Sequence, residues 1–169
     1  MLHLSRLTLV AVPLLLSSAP LHAQRQADVD AINRLIDQYG ATEDAMDMPT
    51  QARLMSSDRV WVGPGTGRRT DQATNMRIQQ AFFDGFKKQF PGAQTFTEDR
   101  DRLIRFHANG TVAIASFYRY TTVLLPPTAT PEQVRAATLP PGVITLVLEK
   151  QDGAWKIVHT HVSNLQPAN

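Results

Sequence analysis

The apolar residues follow a helical spacing in the first half of the chain and a strand spacing in the second. Val29, Ile32, Leu35, Ile36 and Tyr39 share one helical stripe and predict an amphipathic helix, with Asp28 as N-cap and Gly40 as a bend or stop. Asp47, Met48 and Pro49 predict a short second helix capped by Asp47 and ending near Ser56 and Ser57. Residues 58–62 read as a short strand, and the Gly- and Pro-rich residues 63–67 as a loop. Thr70 then caps a long helix with Ala73, Met76, Phe82, Phe83, Phe86 and Phe90 on its apolar face; Pro91 and Gly92 stop it. Beyond that point residues 96–107, 111–125, 143–149 and 155–162 read as strands. Asn109-Gly110 and Asp152-Gly153 are two-residue hairpin signals. Residues 126–141 form an insertion with five prolines and a short helix over 131–137. Helices first and antiparallel strands afterwards indicate an α+β fold.

A hairpin turn fixes which side chains share a face. The first turn sets Ile104, Phe106, Ala113, Ala115 and Phe117 together, with Leu103, Arg105, His107, Val112, Ile114, Ser116 and Tyr118 opposite. The second sets Ile144, Leu146, Leu148, Trp155, Ile157, His159 and His161 on one face. Thr145, Val147, Glu149, Lys156, Val158, Thr160 and Val162 take the other. A sheet with one wet face alternates cleanly between apolar and polar residues. This one is apolar or β-branched on both sides, so each face needs a cover. The helices supply one, and a second copy of the chain is the simplest candidate for the other. High β-propensity on an exposed face is the competing explanation.

The N-terminal residues change the domain boundaries. His3 and Arg6 precede an apolar run over 7–16, and Ser17 to Ala23 reads as a cleavage region. The expectation is a signal peptide over 1–23, cut after Ala23, and one domain over 24–169 in the periplasm or outside the cell. The apolar run is shorter than the roughly 20 residues of a membrane span, so no membrane attachment is expected after cleavage. The formal net charge of +2 falls by one when Arg6 is removed, which is no footprint for nucleic acid. With no cysteine in the chain, disulfides and thiol chemistry are excluded.

The order of elements and the ending Trp155-Lys156-Ile157-Val158-His159-Thr160-His161-Val162-Ser163 resemble the NTF2-like superfamily. The SnoaL-like group and the association domain of calmodulin-dependent kinase II are the most similar within it. The segment from Ser57 to Pro64 resembles that family's first strand. The resemblance implies a cone: a curved antiparallel sheet wrapped around three helices, an apolar pocket at its mouth, and homodimers packed through their sheets. It also implies a wide range of activities, so the fold alone names no reaction.

Candidate chemistry centres on His159 and His161. On the face of Trp155 and Ile157 they would point into the pocket as a general base or as a ligand for a carboxylate. The bland alternative is that both are structural, bonded to backbone or to Ser163. No third ligand accompanies them, so no metal is expected. Asp58, Glu98 and Asp101 are candidate bases, and Tyr39, Tyr118 and Tyr120 candidate donors, for an isomerase-type proton transfer. Asp58 also reads as a cap on its strand, and Glu98 and Asp101 as part of a solvated charged edge. Arg105 and Arg119, if inward, suit a carboxylate ligand; at the sheet surface they would pair with Glu98 or Glu149. The phenylalanines of the long helix read as core. The resulting expectation is a pocket lined by Tyr39, Trp61, Tyr118, His159 and His161. It would bind a small, largely apolar molecule without a cofactor. The alternatives are a cofactor-independent isomerase, lyase or hydrolase using His161 or Asp58 as base, and a non-catalytic assembly module.

Overall fold

The computed structural model describes residues 19–64 and 69–165. The apolar N-terminal run and the centre of the glycine-rich loop lie outside these residues. Helix α1 (Ala19–Asp44) is followed by α2 (Met48–Ala52), β1 (Met55–Val62) and α3 (Gln72–Gln89). The strands β2 (Gln94–His107) and β3 (Val112–Leu124) form the first hairpin. After a short helix α4 (Pro131–Ala136) in the insertion, β4 (Gly142–Gln151) and β5 (Ala154–Asn164) form the second. The sheet order is β1-β5-β4-β3-β2. All neighbours are antiparallel except β1 and β5, which run parallel. The sheet is therefore mixed, where the strand pattern alone had suggested an antiparallel one. A parallel neighbour needs a long crossover, and most of the chain lies between β1 and β5.

One face of the sheet carries the core. Ile32, Ile36 and Tyr39 of α1 pack on Ala115, Phe117, Leu146, Leu148 and Ile157, all nearly or fully buried. Asp47 caps α2 as expected, accepting from the Thr50 amide at 3.0 Å. Two other capping expectations need correction. Asp28 lies inside α1, not at its start, and accepts from Lys150 Nζ at 2.6 Å and Trp155 Nε1 at 3.1 Å. Asp71 caps α3, accepting from the Thr74 amide at 2.7 Å. Thr70 instead bridges to β1: the Trp61 amide donates to its carbonyl at 2.8 Å, and its own amide donates back at 3.2 Å.

Both hairpins begin in the expected register and then slip by one residue. In the first, His107 faces Val112 and Leu103 faces Ser116, but Arg100 faces Tyr118. Asp101, at a φ of 53°, is the extra residue. In the second, Leu148 faces Ile157, but Val147 faces His159, which leaves Val158 without a partner. A single extra residue exchanges the two faces of everything beyond it. Asp99, Thr97 and Thr95 therefore turn toward the helices, as does Thr160, which is completely buried. His159 and His161 move to the outer face with Thr145 and Val147, correcting their expected place beside Ile157.

Candidate functional site

The open end of the cone holds an apolar cleft of about 290 Å³. One wall is α3, which presents Phe82, Phe83 and Phe86; Leu139 of the insertion lies opposite. These phenylalanines had read as core from the sequence. Helical spacing identifies an apolar face without saying whether protein or a ligand covers it. Phe82 remains 58% exposed. The polar lining of the cleft comes from Glu43 and Asp44 of α1, Gln79 of α3 and threonines of β2 and β3. Glu43 and Asp44 reach the site because Gly40 does not end α1, which runs on to Asp44.

These acidic groups are held from behind. Asp44 accepts from the Thr97 amide at 3.0 Å and the Thr97 hydroxyl at 2.7 Å. Arg119 of β3 donates through Nε and Nη2 to both oxygens of Asp99, each at 2.7 Å, and through Nη1 to Glu43 at 2.5 Å. It is the inward arginine considered from the sequence, but its fork is already filled by protein carboxylates. Arg105 is exposed. Burial alone would lower the affinity of Arg119 for its proton; Glu43 and Asp99 overcome that and hold it charged. Its guanidinium lies 4.7 Å from the centre of the Tyr39 ring. Burial, reinforced by Glu43, pushes the Tyr39 hydroxyl up to about 12.

A second polar cluster lies where β1, β5 and α3 meet. Arg59 is completely buried. Its Nε donates to Thr160 Oγ1 at 3.1 Å and its Nη1 to Asn75 Oδ1 at 2.7 Å. Among the described residues its Nη2 has no partner, and neither do Trp61 Nε1, Thr70 Oγ1, Asn75 Nδ2 or the acceptor Gln79 Oε1. Burial draws the Arg59 guanidinium below its ordinary range, opposed by the fields of Tyr39 and Glu43. Gln79 joins this cluster to the cleft, donating from Nε2 to Asn75 Oδ1 at 3.4 Å. An arginine in a short strand carries no sequence signal for burial, so this cluster was not anticipated.

Of the residues expected to line one pocket, the structure brings only some inside. Tyr39 is buried in the core, and Trp61 is buried beside its bridge to Thr70, with its indole packed over Gly63. Tyr118 lies on the outer face, 39% exposed, opposite Arg100. His161 is exposed on that face, and His159 is half-buried. Burial holds the His159 imidazole below its usual range, helped by His161 and Arg59. Asp58 is exposed and accepts a hydrogen bond from the Ser56 hydroxyl. Among the described residues, no three acidic or histidine side chains converge on a metal position.

A mixed sheet folded over its helices, with an apolar cleft at the open end, defines a cone-shaped α+β protein. The chain belongs to the SnoaL-like family, whose domain model matches residues 32–168. It is similar to an NTF2-like protein with a cystatin-like fold from Novosphingobium aromaticivorans: TM-score 0.69, 15% identity, 90% of this chain and 92% of that one. It is also similar to ActVI-ORFA from Streptomyces coelicolor: TM-score 0.65, 14% identity, 80% and 96% coverage. A protein with a cystatin-like fold from Caulobacter vibrioides gives a TM-score of 0.64 at 21% identity, with 83% and 92% coverage. At these identities the likeness is one of fold. No match is found among curated proteins.

Proposed function

We propose that this SnoaL-like protein binds a small, largely apolar molecule in the cleft between α3 and the β2–β3 end of the sheet. The observation that carries this reading is the cleft itself: about 290 Å³, lined by Phe82, Phe83, Phe86 and Leu139 together with Glu43, Asp44, Gln79 and three threonines. Binding sites for small molecules commonly combine apolar walls with a few placed polar groups. At roughly 30 Å³ per heavy atom, water's share of liquid volume, the cleft suits a ligand of on the order of ten heavy atoms. One aromatic ring with a short substituent fits that limit.

The binding reading is favoured over the acid–base alternative by the position of the proposed bases. Asp58 is exposed, and His161 faces outward. Glu43 and Asp44 are the carboxylates that line the cleft, and both already accept hydrogen bonds, from Arg119 and from Thr97. Export and pairing through the outer sheet face complete the proposal. Export rests on the N-terminal sequence. Pairing rests on the apolar outer face around Leu103, Ile114 and Tyr118.

Calorimetric titration with ethylbenzene tests the cleft. The wild-type protein should bind it, and Phe83→Trp, which fills the cleft, should weaken binding at least about ten-fold, the scale of a lost apolar contact. Equal affinity in both proteins would remove the cleft from consideration.

A further inference from the structure

The charges around the cleft do not cancel. Glu43 and Asp44 line it, and among the described residues no lysine, arginine or histidine does. Behind that lining, Arg119 donates to Glu43 and to both oxygens of Asp99, so one guanidinium serves two carboxylates. All three groups lie mostly out of water, with side chains 8%, 21% and 3% exposed for Arg119, Glu43 and Asp99. Asp44 receives only the amide and the hydroxyl of Thr97, both neutral donors. Arg59 is a second buried cation, and Glu43 feels its charge. With Arg59 included, the carboxylates Glu43, Asp44 and Asp99 still outnumber the guanidiniums Arg59 and Arg119 by one. Burial keeps the Tyr39 hydroxyl neutral beside them.

That excess defines the ligand the cleft favours. A ligand carboxylate would add a second unbalanced negative charge beside Glu43 and Asp44, which is expensive away from bulk water. A hydrocarbon would leave the imbalance in place. A monocation cancels it. Asp44 has room for the new contact, since an ionised carboxylate offers about four acceptor positions and Thr97 fills two of them. The apolar walls suit the same charge. Phe82 and Phe83 meet edge to face with ring centres 5.5 Å apart, and Phe82 stacks on Phe86 at 6.5 Å. The face of a phenyl ring is the negative part of its quadrupole and attracts ammonium groups.

We propose that the cleft selects an organic ammonium ion carried on a small aromatic body, with Asp44 as its principal counter-ion. This rests on the cleft reading above and narrows the ligand to arylalkylamines. The ammonium group donates to Asp44 near Glu43, and the ring lies against Phe82, Phe83 and Phe86.

Four probes of similar size separate the possibilities: benzylammonium, benzyl alcohol, ethylbenzene and benzoate. Calorimetry at neutral pH should show benzylammonium binding about ten-fold more tightly than ethylbenzene, the scale of one hydrogen bond to a charged group. Added potassium chloride should weaken benzylammonium binding and leave ethylbenzene binding unchanged. The side-chain carboxyl carbon signal of Asp44 should move further with benzylammonium than with ethylbenzene. Asp44→Asn keeps the size and an acceptor for Thr97 but removes the charge, and should bring the benzylammonium-to-ethylbenzene ratio close to one. If that variant does not fold, the carboxyl signal and the salt dependence carry the test. Equal binding of benzylammonium and ethylbenzene would overturn the ammonium assignment and leave the cleft standing. Benzyl alcohol binding as tightly as benzylammonium, or benzoate binding more tightly, would overturn it as well. Binding by none of the probes would overturn both the cleft and its ligand.

Discussion

Single residues in the interior set the pH range and the stability of this molecule. The Tyr39 hydroxyl ionises near its ordinary value of 10.0 in the unfolded chain and at about 12 in the fold. Between those values the folded state holds a proton that the unfolded state has lost. Stability is therefore full below pH 10 and falls as the pH rises toward 12. Urea midpoints measured across that window should drop for the wild type, and Tyr39→Phe should flatten the decline. Arg119 joins α1, β2 and β3 through Glu43 and Asp99. Arg119→Ala strands two carboxylates and should cost about 3–5 kcal/mol in equilibrium unfolding. Asp28→Ala removes the acceptor shared by Lys150 and Trp155, tying α1 to the second hairpin. Its expected cost in the same experiment is about 1–3 kcal/mol.

At the scale of elements, the sequence reveals periods well and one-residue slips poorly. The α1 stripe, the Asp47 cap, the hairpin turns and the helix in the insertion follow from local chemistry, and the structure has them. Asp152 and Gly153 both take positive φ, as a tight hairpin requires. The faces beyond Asp101 and Val158 were not legible. A bulge adds a residue without altering composition or the alternation of the residues around it. That misplaced His159 and His161, and it concealed Asp99 within a run of charges that resembles a solvated edge. The Val158 bulge provides a direct check. Deleting Val158 removes the extra residue and leaves His159 opposite Val147 and Thr160 opposite Leu146, so both histidines stay outward and Thr160 stays beside Arg59. Its cost in a urea titration should stay within about 3 kcal/mol, the range of an ordinary substitution; a larger loss would mean that the faces had exchanged and that Val158 is not the extra residue. Val158→Ala keeps the register and should cost under about 1.5 kcal/mol in the same urea titration.

At the scale of the whole molecule, the proposal assigns different uses to two surfaces of the cone. The outer sheet face offers Leu103, Ile114 and Tyr118, each exposed, among half-buried valines and threonines. Light scattering at micromolar concentration should give a dimer, and Ile114→Glu a folded monomer; a wild-type monomer would contradict pairing through this face. The open end offers the phenylalanine-walled cleft, the central claim of this account. It is tested most directly by mapping ethylbenzene onto the isotopically labelled protein through its chemical shifts. The account predicts saturable shifts concentrated at Phe82, Phe83, Phe86 and Leu139. Shifts confined to the outer face around Tyr118, His159 and His161, or no saturable shift at all, would contradict it.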